Sequence, residues 1–350
     1  MADWKRGMAR TYEFWEVNPS TWGDNEILDT ITSCSITRDS DDETLGSATF
    51  EMDSWEGERW IRVYLITKQD GVRERWPLGT FMVQVPDRSF DGMRGYASAN
   101  GYTPLKELAD NKPPVAYKLE TGFVEDKVAR LIETYGRAPV VMPEGETRIQ
   151  EEFVAEDDES WLSFDKSALA KGKKHIELTP RGEVLIAPDQ DPWSKMPSFV
   201  FNDSNSSILR PEVQVSTDLS EVPNVVQVVY SKASGCLIGE AVNDDPSSEN
   251  STVTLGRRKV YRENSPELPD NPDQEDVDIL ARKLLREKGA ASYEVTFTHG
   301  FVPDVNLGTA VRLSYRAMGL DVVAIVTAQT IQCTPACQVQ TTARYYKERL

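Results

Sequence analysis

Trp60-Ile61-Arg62-Val63-Tyr64-Leu65-Ile66-Thr67 is the stretch on which the fold turns. Every residue in it except Arg62 is β-branched, aromatic or leucine, the composition of a pleated, packed surface. Successive side chains of an extended chain point to opposite sides, so Ile61, Val63 and Leu65 share one face and Trp60, Arg62 and Tyr64 the other. The expectation is a strand with one core face and one decorated face. Working outward, residues 33–37, 47–52 and 80–85 have the same character, and turn clusters such as Asp39-Ser40-Asp41-Asp42 and Gln69-Asp70-Gly71 separate them. Short strands about ten residues apart predict a small antiparallel barrel or sandwich over residues 1–102.

The pattern changes to α+β over residues 103–205. Thr103-Pro104-Leu105 reads as the start of a helical turn, with proline at the first helical position. In 123–135, Phe123, Val124, Val128, Leu131, Ile132 and Tyr135 form one apolar stripe, and Gly136 follows as a stop. A further helix is expected over 159–169, then a hairpin of 173–178 with 181–186.

Strands return over residues 206–350, at 212–217, 224–230, 293–298, 310–315 and 322–331, with a helix embedded at about 273–288. Val277, Leu280, Ala281, Leu284 and Leu285 make that helix's stripe, acids crowd its start, and Arg282, Lys283, Arg286 and Lys288 its end, the polarity a helix dipole favours. Residues 243–249 and 263–274 read as exposed acidic loops. Ile61-Arg62-Val63-Tyr64-Leu65 with its following strand has a counterpart in Val311-Arg312-Leu313-Ser314-Tyr315 with 322–326, either an internal repeat or two ordinary hairpins. The fold class expected is mainly β with an α+β insert.

Composition removes several functions. The 350 residues carry 57 Asp and Glu against 39 Lys and Arg, a formal charge of −18, so tight nucleic-acid binding, which needs a basic stripe, is not expected. An aromatic content of 9% is too high for a disordered acidic chain. No stretch reaches the roughly 18 apolar residues of a membrane span, and the opening residues lack the apolar run of a secretory signal. Four scattered cysteines (Cys34, Cys236, Cys333, Cys337) read as free thiols of a protein made in a reducing cytosol.

No catalytic signature is present: neither a zinc-protease helix, a nucleophile elbow, a phosphate loop nor a dinucleotide fingerprint. The two histidines, His175 and His299, stand beside no nucleophile pattern, and His299, next to Gly300, reads as turn-facing. Cys333-Thr334-Pro335-Ala336-Cys337 is one cysteine couple where zinc needs two. Catalytic, metal and cofactor residues are therefore expected to be none.

The order of motifs resembles the bacteriophage tail-hub, or baseplate-hub, family. It is carried by Ile36-Thr37-Arg38-Asp39, Gly46-Ser47-Ala48-Thr49-Phe50-Glu51-Met52, Leu78-Gly79-Thr80-Phe81-Met82-Val83 and Gly101-Tyr102-Thr103-Pro104-Leu105-Lys106. Ser160-Trp161-Leu162, Gly182-Glu183-Val184-Leu185, Pro223-Asn224-Val225-Val226-Gln227-Val228-Val229 and Leu307-Gly308-Thr309-Ala310-Val311-Arg312-Leu313 follow in the same order. The resemblance implies two related small β-barrel domains, interrupted by the α+β segment, in a homotrimeric ring that joins a six-fold tail tube to a three-fold tail tip and leaves a channel for DNA. It implies as partners the tail tube or distal tail protein, the tape-measure protein and a tail-tip spike or fibre protein, and as location the virion tail, assembled in the host cytoplasm. Glu263, Glu267, Asp270, Asp273, Glu275 and Asp276 are then the candidate channel or contact segment. The competing readings are a tail-associated cell-wall hydrolase and a carbohydrate- or receptor-binding β module, for which eight tryptophans offer stacking surfaces. Trp4, Trp15 and Trp22 read instead as packed core or subunit contacts.

Overall fold

The computed structural model describes residues 2–53, 57–84, 87–90, 92, 95–142, 145–149, 152–190, 194–204, 208–232, 235–264, 266, 268, 272–289 and 292–346. The chain begins with β1 (Ala9–Asn18), β2 (Gly23–Ile27), β3 (Ile31–Asp39), β4 (Gly46–Met52), β5 (Arg59–Gln69), β6 (Val72–Val83), β7 (Asp87–Phe90) and β8 (Gly95–Tyr102). The α+β segment follows with α1 (Lys106–Asp110), β9 (Lys118–Leu119), β10 (Gly122–Phe123), α2 (Val124–Tyr135), β11 (Val140–Val141), β12 (Arg148–Ile149), β13 (Phe153–Val154), α3 (Trp161–Lys171), β14 (Lys174–Leu178) and β15 (Val184–Pro188). Then come β16 (Phe199–Asn202), β17 (Leu209–Thr217), β18 (Val225–Lys232), β19 (Gly235–Val242), α4 (Thr252–Leu255), β20 (Val260–Glu263), α5 (Gln274–Lys288), β21 (Ser292–Gly300), β22 (Ala310–Tyr315), β23 (Leu320–Gln332) and β24 (Gln338–Tyr346).

Two compact units result, neither of them one continuous stretch. The first comprises 1–212, 297–321 and 325–342, the second 213–296, 322–324 and 343–350. Within the first unit the main sheet runs in the order β3-β4-β8-β6-β5-β1-β2, and β23 continues it beyond β3. Its joint is the antiparallel pairing of β3 with β23, which sets Ile36 opposite Ile331 and so places the early and late β regions in one sheet. No sheet among the described strands closes on itself.

β5 lies inside this sheet, between β6 and β1, and it corrects the expectation of a decorated face. Residues 60–67 are buried without exception. Ile61, Val63 and Leu65 pack with Phe14, Ile36, Phe50 and Phe81 in one core. Trp60 packs on the opposite side with Val17, Trp22 and Met82 against the helices of the α+β segment. Covering both faces of a strand leaves no solvated side for Arg62, which is fully buried.

The insert forms this second core from the predicted stripes except Phe123, which is exposed at the N-cap of α2. α2 buries Val124, Val128, Ala129 and Ile132. α3 starts at Ser160, whose hydroxyl accepts from Ser163 N–H, and buries Trp161, Leu162, Phe164, Ala168 and Leu169. β14 and β15 pair antiparallel as the hairpin the sequence predicts, with Ile176 opposite Ile186.

The second unit holds a sheet in the order β19-β18-β20 with α5 packed on it. Val277, Ala281 and Leu285 meet Val226, Val228 and Ala241. Asp273 caps the helix by accepting from Asp276 N–H at 3.0 Å, while the Asp276 carboxylate accepts from Asp273 N–H at 3.1 Å.

Candidate functional site

The acids singled out from the sequence have local structural work. Asp273 and Asp276 are brought together as the capping box of α5, and Glu275 is exposed in the same first turn. Glu263, at the end of β20, accepts from the Tyr261 hydroxyl at 3.0 Å. Glu267 and Asp270 lie outside the described residues.

No sequence motif marks a cavity of about 630 Å³ in the first unit. Leu78 and Phe81 of β6, Ile176 and Leu178 of β14, and Leu45 and Leu307 give it apolar walls. Its charged groups come from β3, α3 and β14, with Asp189 from just past β15. Arg38 donates to Asn306 Oδ1 at 2.7 Å, Gln329 Oε1 at 3.3 Å and the Leu78 carbonyl at 2.6 Å. Burial, with these neutral oxygens as its partners, lowers the guanidinium pKa to about 10. Lys166 donates to the Glu43 carbonyl at 2.6 Å, and burial lowers its pKa too.

Lys174 and His175 at the start of β14 are bound to carboxylates. The Lys174 ammonium stands 3.4 Å from buried Glu125, which also accepts from Thr147 N–H. Burial favours protonating Glu125, but the hydrogen bonds from its own backbone, Thr147 and Lys174 outweigh it and hold the carboxyl below the ordinary range. His175 is bracketed by Glu177 at 2.9 Å on Nε2 and Asp189 at 2.8 Å on Nδ1, which raise its pKa. An imidazole with both nitrogens held by carboxylates has no free lone pair to act as a base on a substrate.

His299 lies not in a turn but on β21, with its side chain 1% exposed. Nδ1 donates to the Gly300 carbonyl at 2.6 Å, which leaves Nε2 as the acceptor of the Thr341 hydroxyl proton at 2.8 Å. Phe201 and Phe297 pack against the ring at a tilt, with centroids at 4.4 and 5.5 Å. Burial lowers its pKa to about 4, so it is a neutral core histidine. Cys333 and Cys337 flank the turn between β23 and β24 as free thiols, Cys337 at φ 43°. Among the described residues no group of three or more His, Cys, Asp or Glu side chains is placed to hold a metal. Among the described residues no helix is long and apolar enough to cross a membrane.

No family model and no curated protein sequence matches this chain. Solved structures do match its fold. It is similar to a tail protein from Neisseria meningitidis MC58 over 97% of both chains, with a TM-score of 0.68 at 14% identity. It is similar to the 43 kDa tail protein of prophage MuSo2 from Shewanella oneidensis over 96% of this chain and 98% of that one, with a TM-score of 0.66 at 11% identity. The prophage tail protein gp18 from Listeria monocytogenes EGD-e matches over 96% and 95%, with a TM-score of 0.55 at 12% identity. A shared order of strands and helices over such lengths, at identities this low, is a statement about fold. The chain has the fold of bacteriophage tail proteins, as the order of its sequence motifs implied.

Proposed function

We propose that this chain is a structural protein of a bacteriophage tail, a hub with no catalytic role. The observation that carries the reading is the fold likeness to the Neisseria tail protein, which spans 97% of each chain. The cavity chemistry supports it, because the ionisable side chains described on the cavity walls are held by neighbours and not poised on an open substrate position.

Three copies would form a ring that joins a six-fold tail tube to a three-fold tip and leaves a channel for DNA. The tail tube or distal tail protein, the tape-measure protein and a tip spike or fibre would be its partners, and the assembled virion tail, built in the host cytoplasm, its location. The division into domains 1–102, 103–205 and 206–350 belongs to this proposal. So does a two-barrel relation in which the β5–β6 and β22–β23 hairpins are counterparts. A charge of −18 per chain suits a passage that DNA must cross without adhering, since like charges repel its phosphates. Glu263, Glu267, Asp270, Asp273, Glu275 and Asp276 are proposed as a channel or contact segment on that ground.

Light scattering on the purified full chain tests the hub, with tail-tube protein added in a second run. A trimer, or a complex with the tube protein, is expected. A monomer at every concentration that leaves the tube protein unbound would remove the ring.

A further inference from the structure

A second cleft of the first unit, about 300 Å³, runs against the charge of the whole molecule. In a chain of net charge −18, its lining includes Lys5, Arg6, Arg10 and Arg210 and no acid. Two acids stand nearby. Asp70 pairs with the exposed Arg6 at 3.1 Å, and the Asp3 carboxylate accepts from Lys5 N–H at 3.0 Å. That leaves Lys5, Arg10 and Arg210, none of which forms an ion pair among the described residues. The Lys5 ammonium lies 5.9 Å from the centre of the Phe199 ring.

The cleft is built, not a chance gathering of surface chains. Its wall residue Trp4 meets Trp76 and Phe301 edge-on, at centroid distances of 5.3 and 5.4 Å. The Gln69 side-chain amide donates to the Asp3 and Gly7 carbonyls at 3.0 and 3.3 Å and so fixes the segment that carries Lys5 and Arg6. Arg10 donates from Nη1 to the Ala336 carbonyl at 3.0 Å, yet its Nε is buried without a partner. A buried donor left unpaired is costly, and cations crowded in one cleft repel one another. An anion in the cleft relieves the repulsion among the cations that line it.

We propose that this cleft binds a phosphate group. Three cations remain after Arg6 is offset by Asp70, which matches a phosphate monoester of charge about −1.5 to −2 better than a single carboxylate. Arginine forks also bond tetrahedral oxyanions in a bidentate manner. The volume lies at the low end for ligand clefts and admits a phosphate with a small substituent. The source is either free phosphate or a phosphoryl group carried on a larger molecule. The proposal does not depend on the chain being a tail protein.

Isothermal titration of the full chain in low-salt, phosphate-free buffer tests it, with inorganic phosphate, glycerol phosphate and acetate as probes. Saturable binding of phosphate at a Kd of about 1 mM or tighter is expected. It should weaken about tenfold or more in Arg210→Gln and in Lys5→Gln, both exposed positions that the fold tolerates. Lys283→Gln, on the exposed face of α5, should leave it unchanged. Glycerol phosphate binding tighter than inorganic phosphate assigns a carried phosphoryl group, and equal binding assigns free phosphate. No saturable heat, acetate as tight as phosphate, or binding undiminished in both cleft variants would overturn the proposal.

Discussion

Arg62 donates from Nη1 to Asp24 Oδ1 at 2.7 Å although the arginine side chain has no exposed surface. Its Nε reaches the Thr80 hydroxyl at 2.9 Å and its Nη2 the Trp22 carbonyl at 3.1 Å. Asp24 also accepts from the Tyr64 hydroxyl at 2.8 Å and pairs with Arg75 at 3.1 Å. Removing the acid would leave a guanidinium buried and uncompensated. Asp24→Ala should therefore cost about 3–5 kcal/mol in urea unfolding, and Asp24→Asn, which keeps one oxygen to accept from Arg62 but turns an NH2 toward the Tyr64 and Arg75 donors, less. Equal and small losses for the two would show the charge to be unimportant.

Asp165 on α3 poses the opposite case. It is fully buried and neither carboxylate oxygen has a hydrogen-bond partner. Burial first, then the neighbouring Glu159, raises its pKa well above the ordinary carboxyl range. The folded chain thus holds a proton that the unfolded chain releases, and this group's contribution to stability falls as pH rises past about 4. Asp165→Leu should raise the urea midpoint, and by more at pH 8 than at pH 4. A gain independent of pH would show that Asp165 takes up no extra proton in the fold.

His299 acts at the acid end. Its folded pKa of about 4 lies below the ordinary value near 6.5, so the native state resists protonation. The stability it contributes is complete above about pH 6.5 and is lost as pH falls toward 4, at most about 3 kcal/mol. His299→Gln should flatten the acid limb of a stability-against-pH curve. An unchanged limb would assign acid unfolding to other groups.

Gly239 of β19 sits directly beneath α5. A Cβ there would stand 2.6 Å from the Val277 carbonyl oxygen and 3.0 Å from the Asp278 nitrogen, backbone atoms that cannot rotate away. Gly239→Ala should therefore cost about 1–3 kcal/mol by forcing the helix off the sheet. Asp273→Ala, which removes the helix cap, should cost about 1 kcal/mol. Circular dichroism with urea measures both. A loss for Asp273→Ala well above a cap's worth would show that this acid does more than end the helix.

Local signals were readable where the chemistry is local. The acid-first, base-last order of 273–288 and its apolar stripe predict α5, which occupies Gln274–Lys288 with Asp273 as its cap. The hairpin β14–β15 was equally plain. β8 was not, because its core positions are small. Ala97 and Ala99 are buried, and a Cβ on Gly101 would stand 2.7 Å from the Phe50 ring and 3.0 Å from the Phe81 Cβ. Small residues there make room for aromatic rings from β4 and β6, a requirement no local pattern displays. The basic cleft was hidden for a related reason, since Lys5, Arg6 and Arg10 are met by Arg210 from far along the chain.

For the stretch 60–67, sequence alone determined that it is a strand and that Ile61, Val63 and Leu65 face a core, because period-two alternation of β-branched residues is a property of the extended backbone itself. Tertiary structure decided the other face. Trp60, Arg62 and Tyr64 look exposed in sequence, but the insert's helices cover Trp60, and Asp24 neutralises Arg62. Whether a polar side chain is solvated or buried depends on what packs over it and on the partner it finds there, and both come from distant parts of the chain.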